Sequence, residues 1–368
     1  MKKLLLVANV SKEHIRKFHI PFILHLRSLG WRVDVACRLD EPVPECDHAF
    51  DLPCERNPFR GGLGKSVRLL KTIIRENGYD AVLCNTVVGS LVARLAAKDA
   101  RKTGLKVFYI CHGLHFFEGA PFHRWLMGYP MEKLLASHTD VMTTINSADC
   151  KMAKKCLNVG AVEKIHGIGI DLSRFRRAAL TAEEKLQLRR SLGIGEKDPV
   201  LAYVAEINDN KNQRLLVDAL ALLRRDYPTA RLMLIGPEHD GGALRKRNPA
   251  GVLFLGWRND VARLLCIADV YTASSKSEGL PINLLEAMAC DLPVVAAKNR
   301  GHCEIIDDGV NGLLVEQGEA GELAERVRWL LEDDALRLRI TRQAAVDIGQ
   351  YETKRVLKEL EEILEHYL

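Results

Sequence analysis

Short apolar runs alternate along nearly the whole chain with longer stretches in which apolar residues recur every three or four positions. The short runs suit buried strands and the periodic stretches suit helices, and their alternation is the sequence form of parallel α/β architecture. In the first half the pattern predicts strands at Leu4–Ala8, Arg32–Ala36, Ala81–Cys84, Val107–Cys111 and Val141–Ile145. Helices are expected near His14–Leu29, Leu63–Glu76, Ser90–Thr103, Phe122–Ser137 and Ala148–Cys156, the fourth kinked or broken at Pro130. The second half reads as helix Ala182–Leu192, strand Val200–Ala205, helix Arg214–Arg225, strands Arg231–Gly236 and Val252–Leu255, and helix Val261–Ile267. Strands Val270–Ser275 and Pro293–Ala297 then flank an apolar helix with Pro281 in its first turn, where the missing N–H costs nothing. A last helix puts Val356, Leu357, Leu360, Ile363, Leu364 and Tyr367 on one face.

The helix after Pro281 carries Asn283 and Glu286, three residues apart and so on one face. A carboxylate on a largely buried helix is costly unless something hydrogen-bonds it. Ahead of the helix, Gly279 allows close approach of backbone to a ligand, and the first-turn N–H groups attract an anion. Glu278 adds a carboxylate in the loop. Carboxylate, anion-binding turn and second carboxylate match the order of groups in a sugar–diphosphate–nucleoside: hydroxyls, phosphates, ribose hydroxyls.

Composition narrows the class. At 368 residues, 47% hydrophobic and 27% charged, the chain has the make-up of a soluble two-domain protein. No apolar run approaches the ~20 residues of a membrane span, and the start Met1–Asn9 is too short in apolar residues for a signal peptide. Ten cysteines without a C-x-x-C pair or a zinc-like cluster point to a reduced, cytoplasmic setting. The net charge of +5 is uneven: residues 1–180 hold 28 Lys and Arg against 17 Asp and Glu, giving +11, and the remainder is −6. A basic half suits a diphosphate or anionic lipid, and no nucleic-acid motif accompanies it. The turn Asn9–His14 lacks G-x-G-x-x-G, which argues against a nicotinamide or flavin enzyme. Gly61-Gly62-Leu63-Gly64-Lys65-Ser66 is not a Walker A loop, because Phe59 stands where that motif needs glycine.

Two features of the first half carry candidate chemistry. His112-Gly113 follows the strand ending at Cys111, the end of a parallel strand where open α/β sheets place ligand groups. Phe116, Phe117, Phe122, Trp125 and Tyr129 are then crowded into one segment, with Phe122, Trp125, Leu126 and Tyr129 at helical spacing. Met127, Met131, Leu134 and Leu135 lie on other faces, so the segment has more apolar surface than one core contact uses. The surplus fits a second domain or a membrane interface, with Arg124 and Lys133 alongside.

The stretch Glu278–Glu286 resembles the E-x7-E signature of retaining glycosyltransferases, specifically glycosyltransferase family 4 with its GT-B fold. The resemblance runs over nearly the whole chain and is strongest at residues 270–315. It implies two Rossmann-like α/β domains, each with a parallel sheet, facing a central cleft. Residues 1–176 would be the N-terminal, acceptor-binding domain and residues 177–350 the C-terminal, nucleotide-sugar-binding domain, with the helix at 351–368 packing back on the first. By the same resemblance Glu286 binds ribose, Glu278 a sugar hydroxyl, Gly279 and Leu280 the phosphate, and His112 faces the donor sugar. Trp257 and Arg258 inherit the turn that meets the nucleobase. Family members place Gly-Arg after the strand that ends at Ala205 and a lysine about five residues on; Lys211 matches the lysine, while Glu206 stands in place of arginine. Either another cation substitutes, with Arg214 and Arg300 as candidates, or diphosphate binding leans on Lys211 and helix dipoles.

His-Gly-x-His-Phe-Phe and Trp-x-x-x-Tyr-Pro-x-Glu are similar to the bacterial capsule and exopolysaccharide branch. That branch implies a UDP-sugar donor, an N-acetylhexosamine, and a polyprenyl-diphosphate-linked glycan acceptor reached by peripheral contact with the inner membrane face through Phe116–Tyr129. No cofactor and no metal are expected, since no Asp-x-Asp ends a strand. A UDP-sugar epimerase of the same fold and a non-catalytic sugar-nucleotide or lipid-binding partner of a membrane complex are the competing readings; turnover without acceptor identifies the first and UDP binding without turnover the second.

Overall fold

The computed structural model describes residues 1–54, 62–175 and 180–368. The expected domain border at 176/177, and Phe59 and Gly61, lie outside the described residues. Packing divides the chain into two units, Met1–Gly169 with Thr353–Leu368, and Ile170–Glu352.

The first unit is built on a parallel sheet whose strands, among the described residues, are β1 (Lys3–Val10), β2 (Arg32–Arg38), β3 (His48–Asp51), β4 (Ala81–Cys84), β5 (Lys106–Cys111), β6 (Val141–Thr144) and β7 (Ala161–Lys164), in the order β3-β2-β1-β4-β5-β6-β7. The central strands are buried along their length and rich in Leu, Val and Ile, as expected of a sheet covered on both faces. The edge strands β3 and β7 escaped the sequence pattern because each is four residues long, half-exposed and partly polar (His-Ala-Phe-Asp and Ala-Val-Glu-Lys). The helix after β1 begins as a π-helix, Ser11–His19, and continues as an α-helix over Ile20–Ser28.

The helix Phe122–Ala136 runs through Pro130, so the proline does not break it. Pro130 and Leu126, whose carbonyl the proline leaves unmet, are both exposed, so water can take that bond. On its inner side Glu132 grips Arg94 with two bonds of 2.8 and 3.1 Å, while Arg94 also donates to the Ser90 hydroxyl and carbonyl and lies 4.3 Å over the Tyr109 ring. The C-terminal helix, Thr353–Tyr367, buries Val356, Leu357, Leu360 and Leu364, and its polar flank binds the same unit through His25–Glu361 at 2.7 Å and His166–Glu359 at 2.8 Å.

The second unit has a parallel sheet of β8 (Val200–Val204), β9 (Arg231–Ile235), β10 (Val252–Gly256), β11 (Val270–Ala273), β12 (Val294–Ala297) and β13 (Leu313–Val315), ordered β10-β9-β8-β11-β12-β13. The order reverses between β8 and β11, and outside the carboxyl ends of such a pair lies the usual ligand crevice of an open sheet. The helix Ile282–Ala289 follows β11. Pro281 occupies its N-cap position with an extended ψ of 99°, one residue before the first turn where the sequence placed it. Among the described residues no helix is long and apolar enough to cross a membrane.

Candidate functional site

The loops leaving β8, β11 and β12 meet at the switch point. After β8, Asn208 Oδ1 accepts the Lys211 N–H at 2.9 Å, making a tight turn, and Asn212 takes a left-handed φ of 52° before the helix Gln213–Leu223. After β11, Ser274 Oγ donates to the Lys211 carbonyl at 2.7 Å, the Lys276 N–H donates to the Asn210 carbonyl at 2.7 Å, and Asn210 Nδ2 donates to the Ser277 carbonyl at 3.1 Å. After β12, Asn299 Nδ2 reaches the Ser275 carbonyl at 2.8 Å and Arg300 Nε the Glu278 carbonyl at 3.1 Å. Gly301 makes that approach possible, since a Cβ there would lie 2.7 Å from Glu278 Cβ. Asn283 is spent on structure: its Nδ2 donates to the Val204 carbonyl at 2.6 Å, pinning the helix to the end of β8.

This stitching brings Lys211 and Glu278 into contact. Lys211 Nζ lies 2.5 Å from Glu278 Oε1, with side-chain exposures of 22% and 14%. A diphosphate and a sugar hydroxyl would therefore meet a cation and an anion already paired with each other. His302 is buried behind them, bonded through Nδ1 to the Ala297 carbonyl at 2.5 Å. Desolvation holds its pKa low, opposed by that bond and by Glu278, while Lys211 lowers it further. Glu286, half-buried, sits on the helix one turn beyond Asn283. Tyr271 is pushed well up by burial, then by Tyr203, and also by Glu286 and Glu278, which places both glutamates within electrostatic reach of one hydroxyl. Gly279 and Leu280 are half-buried in the turn between them.

Other expected site residues are placed differently. Arg258 is tied to Asp260 by bonds of 2.7 and 2.6 Å, and Trp257 stands on the surface. Arg214, one of the two expected substitute cations, lines a separate groove of about 880 Å³ with His239, Arg247 and Lys276; neither Lys211 nor Glu278 borders it. Arg300, the other of the two, donates through Nε to the Glu278 carbonyl. In the first unit His112 stands just beyond β5, its side chain reached by solvent although densely surrounded by protein.

The aromatic segment needs correction. Phe116, expected at the acceptor or membrane, is wholly buried, and Trp125 and Tyr129 stack on it with ring centroids 5.3 and 5.2 Å away. Trp125 Nε1 also donates to the Phe117 carbonyl at 3.2 Å. Their helical spacing thus serves the core. The exposed apolar set is Phe122 (80% exposed), Leu126, Met127 and Leu134.

The sequence reading missed His302, whose role is invisible until β12 is placed beside β11, and the polar cluster of Asn9, His19 and Asn85 in the first unit. Strand-end position was the signal for Asn9 and Asn85. His19 gave none, because it lies inside a helix.

The chain matches the family model described as glycosyl transferases group 1 over residues 184–347 and the one described as glycosyl transferase 4-like over residues 3–146. It is 39% identical over 373 residues to the "Putative glycosyltransferase EpsD" of Bacillus subtilis, a match spanning 100% of this chain and 97% of that protein. It is 27% identical over 267 residues to the N,N'-diacetylbacillosaminyl-diphospho-undecaprenol alpha-1,3-N-acetylgalactosaminyltransferase of Campylobacter jejuni, covering 71% of this chain and 68% of that one. Among solved structures, Anabaena Alr3699/HepE in complex with UDP and glucose has the same fold, with a TM-score of 0.80 over 100% of both chains at 22% identity.

Proposed function

The chain belongs to the glycosyltransferase family these matches define, and we propose that it transfers an N-acetylhexosamine, with retention of configuration, from a UDP-sugar to a polyprenyl-diphosphate-linked or other glycan acceptor in capsule or exopolysaccharide synthesis. The observation that carries this reading is the Lys211–Glu278 pair at the switch point of the second sheet, with Glu286 a turn further along the helix. Donor binding exchanges partners: Lys211 leaves Glu278 for the diphosphate, and Glu278 is released to accept from a sugar hydroxyl. Glu286 accepts from the ribose hydroxyls. As the sugar–phosphate bond breaks, negative charge grows on the departing diphosphate, where Lys211, once released from Glu278, and the N–H groups of Gly279 and Leu280 stabilise it. The leaving phosphate takes the acceptor proton. No metal or cofactor enters this scheme. The Campylobacter relative's named acceptor, a diphospho-undecaprenol, and the UDP in the Anabaena complex support the choice of acceptor and nucleotide.

A lipid-linked acceptor also gives the exposed face of helix Phe122–Ala136 a use. Phe122, Leu126, Met127 and Leu134, flanked by Arg124 and Lys133, form an apolar surface with basic neighbours suited to peripheral attachment at the inner membrane face.

The test is transfer from UDP-N-acetylglucosamine or UDP-N-acetylgalactosamine to a short-chain polyprenyl-diphosphate N-acetylglucosamine, followed by product mass and the anomeric coupling in NMR. An α-linked product with UDP release is expected; an inverted product refutes retention. UDP binding without turnover would favour the non-catalytic partner, a reading that rests on the exposed carboxylate of Glu206 where the family has arginine. UDP-sugar conversion without acceptor would mark an epimerase.

A further inference from the structure

The ends of three adjacent strands in the first unit, β1, β4 and β5, carry a cluster that the donor chemistry does not use. Asn9 lies near the end of β1, Asn85 follows β4, His112 follows β5, and His19 ends the π-helical stretch that leaves β1. Asn9 is committed to the scaffold: its Oδ1 accepts from Thr86 Oγ1 at 2.8 Å and from the Gly89 N–H at 2.6 Å. Asn85 is only 4% exposed, and just one end of its amide is used, against His19 Nε2. The other end is buried with no hydrogen-bond partner. Turning the amide over changes nothing, because whichever atom takes that position is left unpaired. A buried polar atom in that state costs free energy until something bonds to it.

The surroundings restrict what that can be. Desolvation, then His112 and His14, depress His19 to about 3, so its imidazole is neutral at pH 7. His112, whose ring centroid is 6.5 Å away, is held low by desolvation and by His14, and neither shift has a carboxylate or a cation among its causes. Among the described residues no group of three His, Cys, Asp or Glu is placed to hold a metal ion. Among the described residues no charged group acts on either ring, so neither an anion nor a cation finds a partner of opposite charge through them. A hydroxyl, which both donates and accepts, suits an uncharged amide backed by an uncharged imidazole. The π-helical geometry, which often marks functional sites, sets His19 at this position.

We infer that Asn85, held by His19, is a hydroxyl-recognising residue for a neutral sugar of the acceptor, an inference that rests on the glycosyltransferase reading above. The acceptor's diphosphate then lies elsewhere, and discrimination at this point is between sugars. In the test, the imidazole resonances of His19 and His112 are followed by NMR during titration with N-acetylglucosamine, galactose and, separately, inorganic phosphate. UDP binding is measured by calorimetry on the same samples. At least one sugar should shift both resonances saturably while phosphate does not, and Asn85→Ala should weaken that sugar at least tenfold with UDP affinity unchanged. Where Asn85→Ala fails to fold, Asn85→Asp, of the same shape but without the N–H donor, serves instead with the same expectation. Shifts with phosphate, no shift with any sugar, or equal sugar affinity in the folded variant would overturn the inference. Transfer by an enzyme indifferent to Asn85 would sink this inference alone, whereas sugar binding at Asn85 without transfer would sink the glycosyltransferase reading alone.

Discussion

Replacing Lys211 with alanine separates its two partners. The lysine is bound to Glu278 at 2.5 Å, an attraction of about 7 kcal/mol before desolvation at an effective dielectric constant of ~20. Most of that is cancelled by the cost of taking both groups partly out of water. With roughly a fifth of each side chain still exposed, the pair falls between surface bridges, worth ~1 kcal/mol or less, and fully buried ones, whose disruption costs ~3–5 kcal/mol. Lys211→Ala should therefore lower stability by about 1–3 kcal/mol. On the donor side the loss is larger in effect, because a lysine that follows the charge onto the leaving diphosphate acts on the barrier itself. Turnover of the UDP-sugar should fall well beyond tenfold, ~1.4 kcal/mol in barrier, while uridine binding stays nearly intact.

Glu278→Gln supplies the opposing arm. It frees Lys211 from its anion, so pyrophosphate should bind several-fold tighter than to wild type even as transfer is lost with the sugar contact. The assays are calorimetry with uridine, UDP and pyrophosphate, and initial rates of UDP release. A Lys211→Ala variant that keeps wild-type UDP affinity and loses less than tenfold in rate refutes the exchange of partners. Arg300, whose Nε is 3.1 Å from the Glu278 carbonyl, would then be the next cation to test.

Four further outcomes are expected. Glu286→Gln should weaken UDP binding by about 1–3 kcal/mol, the scale of a hydrogen bond to a charged group, and unchanged affinity by calorimetry would remove it from the ribose. Glu132→Ala, which strands Arg94 at 1% side-chain exposure, should cost about 3–5 kcal/mol in urea unfolding; a loss under ~1 kcal/mol would show that water replaces the pair. His19 is held at about 3 when folded and returns to its ordinary value of 6.5 when unfolded, so between these values only the unfolded chain takes up the proton. Stability should then fall as pH drops from 6.5 toward 3, by up to about 1.4 kcal/mol per unit, and urea titrations of His19→Gln at pH 7, 6 and 5 should show a shallower slope. The wild-type chain should co-sediment with anionic vesicles at low salt, each basic residue near the surface adding ~1 kcal/mol, and Phe122→Ser/Leu126→Ser should abolish this with UDP binding kept; equal sedimentation of the two would leave the helix face to another contact.

Periodicity exposed the long central strands because both faces of each sheet are covered, so Leu4–Ala8 or Val294–Val295 reads as unbroken apolar sequence. It could not expose β3 or β7, whose outward groups must satisfy water as edge strands do. The Glu278–Glu286 stretch was legible because glycine, proline and the two carboxylates all lie within one strand–turn–helix unit. The bond from Lys211 to Glu278 was not, because it joins residues 67 apart in sequence and exists only once β8 and β11 are neighbours. The aromatic segment misled for a related reason: helical spacing tells which residues share a face, and only Phe116, on the preceding loop, decides that Trp125 and Tyr129 turn inward.

Glu206 shows how the second unit accommodates a residue that appears out of place for phosphate binding. Its backbone carbonyl accepts from the Gln213 Nε2 amide at 2.7 Å, so position 206 contributes main chain to the turn while its side chain remains exposed. Lys211 is held by Asn208 Oδ1 on its N–H and by Ser274 Oγ on its carbonyl, while Asn208 Nδ2 donates to Glu206 Oε2 at 3.4 Å. The carboxylate at 206 thus engages the asparagine that shapes the lysine's turn. A carboxylate there imposes a repulsive cost on a diphosphate only in proportion to its distance and to solvent screening, and an exposed group is screened most. A glutamate in place of arginine removes a cation while its carboxylate joins the turn, which is why the burden on Lys211 is expected to exceed that on a lysine accompanied by arginine.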